Sequence, residues 1–191
     1  LLLVVKPQDM ATVLEEVKGS INPNAVVITF AAGKTISFIS NCLGTGNPVV
    51  RVMPNTPTLV GKGMAAASIG AGVTDAQRDF VLGFLAATGK VIEVSEDLQD
   101  AVTATSGSGP AYFFAFVEAM VAGAQELGLS EKDATTLTVQ TMLGAATLLE
   151  ESGKSATTLR ENVTSPNGTT AAALASFGSD NLNSMVAKAM K

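Results

Sequence analysis

The first half of the chain alternates apolar runs with stretches in which apolar residues recur every three or four positions. Solid apolar runs are typical of strands buried on both faces of a sheet, and the longer spacing is typical of amphipathic helices. The predicted strands are residues 1–5, 25–30, 48–53, 64–69 and 90–94. The predicted helices are residues 8–18, residues 35–43, and one that Thr74 caps and that ends before Gly89. This order predicts part of a Rossmann-type, doubly wound parallel sheet.

The pattern changes near residue 95, and no strand is predicted beyond it. Ser95 is expected to cap a helix, Pro110 suits the first turn of the next, and Ser130 and Ser155 are further N-cap candidates. The predicted helices are residues 96–105, 110–127, 131–151, 156–163 and 170–177. We therefore predict two domains: part of a dinucleotide-binding domain over residues 1–96, and an all-helical domain over residues 97–191.

The later helices are apolar on more than one face. One of them is nearly encircled by Val139, Met142, Leu143, Ala146, Leu148 and Leu149. Such helices offer more apolar surface than a small bundle hides, which favours a helical dimer interface. An ordinary core helix explains the same pattern equally well.

An apolar strand at Leu1 predicts further strands beside it, so we expect an N-terminal part that precedes this sequence. The Gly-rich segment 106–110 does not fit the dinucleotide fingerprint Gly-x-Gly-x-x-Gly, because Tyr112 stands where the third Gly would be. It also follows a helix instead of a strand. We expect the phosphate-binding loop in the preceding part, and we expect residues 1–191 alone to have negligible turnover.

Composition narrows the function classes. Of 191 residues, 47% are hydrophobic and 15% charged, which excludes a disordered chain. The net charge of -5 and the lack of a basic block argue against nucleic acid or an anionic membrane as a partner. The absence of His excludes His-based catalysis, and no metal site is expected. The single Cys42 suits a reducing compartment, and with neither signal peptide nor membrane span in view we expect a cytoplasmic protein.

Candidate chemistry lies at predicted strand ends and in hydroxyl-rich loops. Lys6-Pro7, Ala31-Ala32-Gly33 and Asn55-Thr56-Pro57 follow strands, and ligands of doubly wound sheets bind at that edge. Loops 106–110 and 164–170 lead into helices, whose free N–H groups bind carboxylates or phosphates. A small bound anion is the functional interpretation. Ordinary turn and capping chemistry is the alternative.

Four segments, in order and at the right spacing, resemble pyrroline-5-carboxylate reductase. They are Val-Val-Lys-Pro-Gln at 4–8, Val-Met-Pro-Asn-Thr-Pro at 52–57, Ser-Gly-Ser-Gly-Pro-Ala-Tyr at 106–112, and Val-Thr-Ser-Pro-Asn-Gly-Thr-Thr at 163–170. The sequence departs from the family at Asn167, where Gly is usual. Asn tolerates a left-handed backbone, so we expect this turn to survive.

The resemblance implies reduction of the cyclic imine 1-pyrroline-5-carboxylate to L-proline with NADP or NAD as cofactor, the last step of proline biosynthesis. It implies cofactor contacts at Val4, Val5, Lys6, Pro7, Ala31, Ala32, Asn55, Thr56, Pro57, Glu96 and Asn162. It implies substrate contacts at Val163, Ser165, Thr169 and Thr170. We expect the Thr170 hydroxyl to bind the ring nitrogen as the catalytic contact, and amides at 165–170 to bind the carboxylate. The resemblance also implies a homodimer through the helical domain, whose dimers assemble further into rings.

Two other functions fit parts of the sequence. One is an NAD(P)-dependent reductase of the 3-hydroxyacid dehydrogenase type, but such enzymes generally use a catalytic Lys or His on the helical side. This chain has no His, and Lys132, Lys154 and Lys188 lie outside the loops described above. The other is a non-catalytic helical assembly module.

Overall fold

In the computed structural model, which describes residues 1–191, five strands form one sheet in the order of the sequence. They are β1 (Leu2–Leu3), β2 (Val27–Thr29), β3 (Val49–Met53), β4 (Gly63–Ile69) and β5 (Gly89–Glu93). Strands β1, β2 and β3 are parallel neighbours, β4 runs antiparallel to β3, and β5 runs parallel to β4. All five predicted strands are present, although β1 and β2 are shorter than their apolar runs.

The sheet is mostly parallel, as predicted, but the pair β3 and β4 is antiparallel. Only residues 54–62 connect them, and part of this connection is a 3₁₀ turn, Thr56–Val60. Parallel neighbours need a crossover of about a dozen residues or more. The connection is too short for a crossover, so β4 returns beside β3 in the opposite direction.

Helices cover both faces of this sheet, as a doubly wound sheet requires. Helices α1 (Met10–Val17) and α2 (Ile36–Leu43) pack on one face, and α3 (Asp75–Ala86) packs on the other. The strands alternate between the two cores, because successive side chains of a strand point to opposite faces. Val27 lies in the first core, and its neighbour Ile28 lies in the second.

The remaining helices follow β5. They are α4 (Gln99–Val102), α5 (Gly109–Glu126), α6 (Glu131–Glu151), α7 (Ala156–Asn162), α8 (Thr169–Ser179) and α9 (Leu182–Ala189). The predicted caps Thr74, Ser130 and Ser155 are confirmed, since each side-chain oxygen accepts a hydrogen bond from the third backbone N–H of its helix. Helix α9 was not predicted. It follows Asn181, which has a left-handed backbone (φ 55°) and makes no side-chain cap.

The segment after β5 differs from the single helix predicted there. It consists of a 3₁₀ turn (Glu96–Leu98), the short α4, and a π-helical turn (Thr103–Gly107). The predicted cap Ser95 makes no capping hydrogen bond. The Glu96 carboxylate is engaged elsewhere, as described below.

The chain divides into two compact units, Leu1–Ala111 and Tyr112–Lys191. The division falls inside α5, whereas the predicted boundary lies at residues 96 and 97.

In the second unit only Ala134 and Thr138 are buried. Its large exposed apolar side chains include Tyr112, Phe113, Phe114, Phe116, Met120, Leu137, Val139, Leu143, Leu148 and Leu149. The helices of this unit therefore leave much of their apolar surface uncovered within one chain. No helix of the chain is long and apolar enough to cross a membrane.

Candidate functional site

The carboxyl ends of the first three strands meet at one edge of the sheet. Leu3 is paired with Thr29, and Thr29 is paired with Arg51. The segments that follow these strands contain the predicted cofactor contacts Val4, Val5, Lys6, Pro7, Ala31, Ala32, Asn55, Thr56 and Pro57. The fold thus places all nine residues after neighbouring parallel strands. Their contact with a cofactor stays a prediction.

These residues differ in what they can offer a ligand. Ala31 is buried in the core beneath α1 and α2, and its backbone N–H donates to the Thr29 hydroxyl (3.3 Å). Ala32 is exposed, and so is the Lys6 side chain, which makes no hydrogen bond or ion pair within the chain. The Lys6 carbonyl accepts a hydrogen bond from the backbone N–H of Asp9 (3.0 Å). A flat ring can approach the backbone at Ala32 without meeting a large side chain.

Asn55 lies at the wall of an open cavity of about 380 Å³. The cavity is lined by Pro54, Asn55, Thr56, Thr58, Leu59 and Gly107. The Asn55 side chain is bonded at both ends: Oδ1 accepts from the backbone N–H of Met64 (2.8 Å), and Nδ2 donates to the carbonyl of Ser106 (3.1 Å). The volume is within the range of small-molecule sites, roughly 300–1,000 Å³.

The side-chain carboxylate of Glu96 lies at the N-terminus of α2. Its Oε1 accepts a 2.7 Å hydrogen bond from the backbone N–H of Ile36, the first residue of that helix, and lies 3.4 Å from Nη1 of Arg51. Arg51 is buried in β3, and its Nη2 lies 3.6 Å from Asp100. The structure therefore gives Glu96 a structural role, as a carboxylate held by a helix N-terminus and a buried cation. A cofactor contact at Glu96 stays a prediction.

Sequence reasoning did not single out Arg51. The available signal was an arginine inside the apolar run 48–53, since a buried guanidinium requires an acidic partner. The identity of that partner could not be predicted, because Glu96 lies 45 positions further along the chain.

Side chains occupy the N-termini of two helices that pack on the sheet, α2 and α3, whereas α1 begins without a side-chain cap. At α2, Glu96 bonds the N–H of Ile36, and Thr35 bonds that of Phe38. At α3, Thr74 and Gln77 form a reciprocal capping box.

The second group of candidates lies between α7 and α8. Helix α7 ends at Asn162, and the Thr164 hydroxyl donates to the carbonyl of Arg160 (2.6 Å). A turn then closes through the N–H of Gly168 and the carbonyl of Ser165 (3.0 Å). Asn167 adopts the left-handed backbone expected for it (φ 61°). Asn162, Val163 and Ser165 are exposed.

Helix α8 begins without a side-chain cap. Gly168 occupies the N-cap position and has no side chain, so the backbone N–H groups of Thr169, Thr170 and Ala171 have no acceptor within the chain. The hydroxyls of Ser165, Thr169 and Thr170 also have no partner in the chain. Free N–H groups at a helix N-terminus, beside free hydroxyls, form a ready site for a carboxylate.

A larger cavity, of about 720 Å³, lies among α7, α8 and α9. Its walls include Arg160, Thr164, Leu174, Phe177 and Leu182. The Phe177 ring packs edge-on against Phe116 of α5, with ring centroids 6.4 Å apart. Sequence reasoning did not predict this cavity, because α9 was not predicted.

No group of three or more Cys, Asp and Glu side chains is placed to hold a metal ion.

Residues 96–191 match a family model described as pyrroline-5-carboxylate reductase dimerisation. The pyrroline-5-carboxylate reductase of Pseudomonas aeruginosa is 41% identical over 190 residues, which cover 99% of this chain and 70% of the relative. The reductase of Corynebacterium melassecola is 45% identical over 175 residues, which cover 90% of this chain and 65% of the relative. The chain thus spans about two thirds of the length of these curated relatives.

Solved structures give the same result. A pyrroline-5-carboxylate reductase from Coxiella burnetii has a TM-score of 0.91 and 40% identity, and the match covers 99% of this chain and 71% of that one. Plasmodium falciparum pyrroline carboxylate reductase with NADP bound has a TM-score of 0.92 and 30% identity, covering 99% of this chain and 76% of that one. The fold predicted from the sequence, a Rossmann-type domain followed by helices, is confirmed by these matches.

The contact between Glu96 and Arg51 gives the first prediction. Glu96→Ala should lower the free energy of unfolding by about 1–3 kcal/mol, because a buried guanidinium and a helix N–H lose their shared acceptor. Asp100→Ala is the matched control. The Asp100 side chain is 92% exposed, so we expect a loss of about 0–1 kcal/mol. Urea unfolding with an unchanged m value measures both, and equal losses would contradict the assignment.

Proposed function

The chain belongs to the pyrroline-5-carboxylate reductase family, and we propose that the full-length protein reduces 1-pyrroline-5-carboxylate to L-proline with NADPH or NADH. The observation that carries the proposal is the uncapped start of α8, with three free N–H groups and three free hydroxyls. The substrate is a small ring with one carboxylate and one basic nitrogen. Those groups require an anion site and a nearby hydrogen-bonding oxygen.

The backbone N–H groups of Thr169, Thr170 and Ala171 would bind the substrate carboxylate. The partial positive charge of a helix N-terminus favours an anion at this position. Gly168 leaves these N–H groups free because it has no side chain. A Ser or Asp at this position would accept a hydrogen bond from one of them. Ser165 and Thr169 would complete the site with hydroxyl hydrogen bonds.

Thr170 would orient the ring. Its hydroxyl oxygen can accept a hydrogen bond from the N–H of the protonated imine, and it can keep that contact when the nitrogen becomes an amine. The iminium nitrogen already holds the proton that the product amine requires. The chain therefore needs no strong acid at this position, which suits a sequence without His. The tasks left to these residues are binding, orientation and exclusion of water.

The residues at the sheet edge fit the reactive end of a nicotinamide cofactor. Ala32 is small and exposed, and the 380 Å³ cavity beside Asn55 and Thr56 can admit a flat ring. When bound, NADPH or NADH supplies the hydride. Val4, Val5, Lys6, Pro7 and Pro57 would hold the cofactor from the same edge, with Glu96 and Asn162 as further proposed contacts. NADP is present in the Plasmodium falciparum structure, which supports this cofactor class.

We further propose a homodimer formed through the helical unit. Exposed aromatic and aliphatic side chains on α5 and α6 leave more apolar surface than a stable monomer exposes. The family model that matches residues 96–191 is itself described as a dimerisation region.

Association of dimers into rings, and a cytoplasmic location, remain predictions. The lone half-buried Cys42 is compatible with a reducing compartment.

Substrate choice tests the proposed function. The full-length protein should oxidise NADPH or NADH in the presence of 1-pyrroline-5-carboxylate, and should show no turnover with 3-hydroxyacids and the oxidised cofactor. The analogue 1-pyrroline, which lacks the carboxylate, should have a kcat/KM lower by about 10- to 150-fold. Faster turnover of a 3-hydroxyacid would favour the dehydrogenase alternative. No turnover with any of these compounds would favour a non-catalytic module.

The role of Thr170 is tested by removing its hydroxyl. Thr170→Ala should lower kcat/KM for the imine by about 10- to 100-fold, because the ring nitrogen loses its hydrogen-bond partner. Thr170→Ser keeps a hydroxyl and should recover most of the loss. Steady-state kinetics with saturating cofactor measure both variants. Unchanged kcat and KM in Thr170→Ala would remove this residue from the mechanism.

The dimer is tested by placing a charge on the helical unit. Leu143→Arg should yield monomers at micromolar concentration, because Leu143 is an exposed apolar side chain of α6. Phe80→Arg, on the exposed surface of α3, is the matched control and should leave the dimer intact. Sedimentation velocity reports the mass. A monomeric wild-type protein would contradict the proposal.

A further inference from the structure

The carbonyl of Ser106 lacks its usual helical partner for a reason that is visible in the sequence. In a regular α-helix this carbonyl would accept the backbone N–H four residues later, but residue 110 is proline and has no N–H. The backbone widens here into the π-helical turn, and the N–H of Ser108 bonds the carbonyl of Thr103 (2.8 Å). The Ser106 carbonyl is thereby left for a partner outside the helix.

Asn55 is that partner. Its Nδ2 donates to the Ser106 carbonyl (3.1 Å), while its Oδ1 accepts from the N–H of Met64 at the start of β4 (2.8 Å). One carboxamide therefore ties three segments together: the end of β3, the start of β4 and the π-turn. Both of its polar atoms are already engaged within the chain.

The same turn forms part of the cavity wall. Gly107 and Asn55 both line the 380 Å³ cavity. A Cβ atom added to Gly107 would lie 2.5 Å from the Cε of Met53, so the turn packs closely on the end of β3. A π-helical turn inside a helix often marks a functional site. The width of the cavity thus depends on where the Asn55 bond holds the turn.

We propose that Asn55 is a positioning residue, which acts through Ser106 and Gly107 to set the cavity wall against which the reacting groups are aligned. A direct cofactor contact at Asn55, the role that the resemblance implies, is the alternative that the experiment distinguishes. The inference rests on the proposed function. Removing the bond should impair alignment, and so turnover, more than it impairs binding of the cofactor.

Asn55→Asp separates the two bonds of this side chain. The carboxylate keeps an acceptor for the N–H of Met64, loses the donor to Ser106, and places negative charge beside a carbonyl oxygen. Asn55→Ala removes both bonds without adding charge, which guards against a failure of the Asp variant to fold. We expect both variants to lower kcat by about 10- to 100-fold, with the Kd for NADPH within about twofold of wild type.

Asn47→Asp is the matched control. Asn47 is also a buried side chain that joins separate segments, since its Nδ2 donates to the carbonyls of Asn22 and Ala25 (both 2.9 Å). It lies before β3, at the opposite edge of the sheet. This variant should lower the denaturation midpoint and leave kcat and KM near wild type. Hydrogen exchange at the N–H of Ser108 should accelerate in the Asn55 variants and stay unchanged in Asn47→Asp.

Three results would overturn the inference. A lower denaturation midpoint with unchanged kcat would make the Asn55 bond merely structural. A Kd for NADPH raised tenfold or more, with kcat unchanged, would make Asn55 a direct cofactor ligand. Unchanged exchange at Ser108 would show that Asn55 does not hold the turn. The exchange measurement needs no turnover, so it tests whether Asn55 holds the π-turn independently of activity. Failure of the wild-type protein to reduce the imine would instead contradict the proposed function.

Discussion

The proposed substrate site depends on a set of backbone N–H groups at the start of α8 that have no acceptor within the chain. Helices α2, α3, α6 and α7 each begin with a Thr or Ser whose oxygen bonds the third N–H. Helices α1, α4, α8 and α9 begin without a side-chain cap, and of these α8 follows a glycine, Gly168. A glycine cannot cap through a side chain, so the positive end of the helix stays open. Three free hydroxyls lie in the same stretch of chain. An anion from outside the chain is what this arrangement can bind.

The cavity beside Asn55 depends on a different constraint, the missing N–H of Pro110. That absence frees the Ser106 carbonyl, and Asn55 binds it from a loop that the short β3–β4 connection has brought into place. The antiparallel return of β4 is part of the same arrangement, because it brings the N–H of Met64 to the other end of the Asn55 side chain. The missing N–H of Pro110 thus leads to a tertiary contact, the hydrogen bond from Asn55 to the Ser106 carbonyl.

Features set by nearby residues could be predicted from the sequence. The caps at Thr74, Ser130 and Ser155 follow from hydrogen bonds within three positions and are present, but the equally local cap expected at Ser95 is not. The left-handed Asn167, expected because the family usually has Gly there, is also present. The direction of β4 could not be predicted from periodicity, which is the same for parallel and antiparallel strands. The role of Glu96 depends on distant partners, and α9 has no capping signal. The family was recognised from four short segments, and the matches to known reductases confirm it.

A crystal structure of the full-length protein with NADP and L-proline would show whether the start of α8 binds the carboxylate. We expect the proline carboxylate to lie about 3 Å from the N–H groups of residues 169–171, and the ring nitrogen to lie within hydrogen-bond distance of the Thr170 hydroxyl. A carboxylate bound elsewhere, for example by the Lys6 side chain, with only water on the N–H groups of α8, would contradict it.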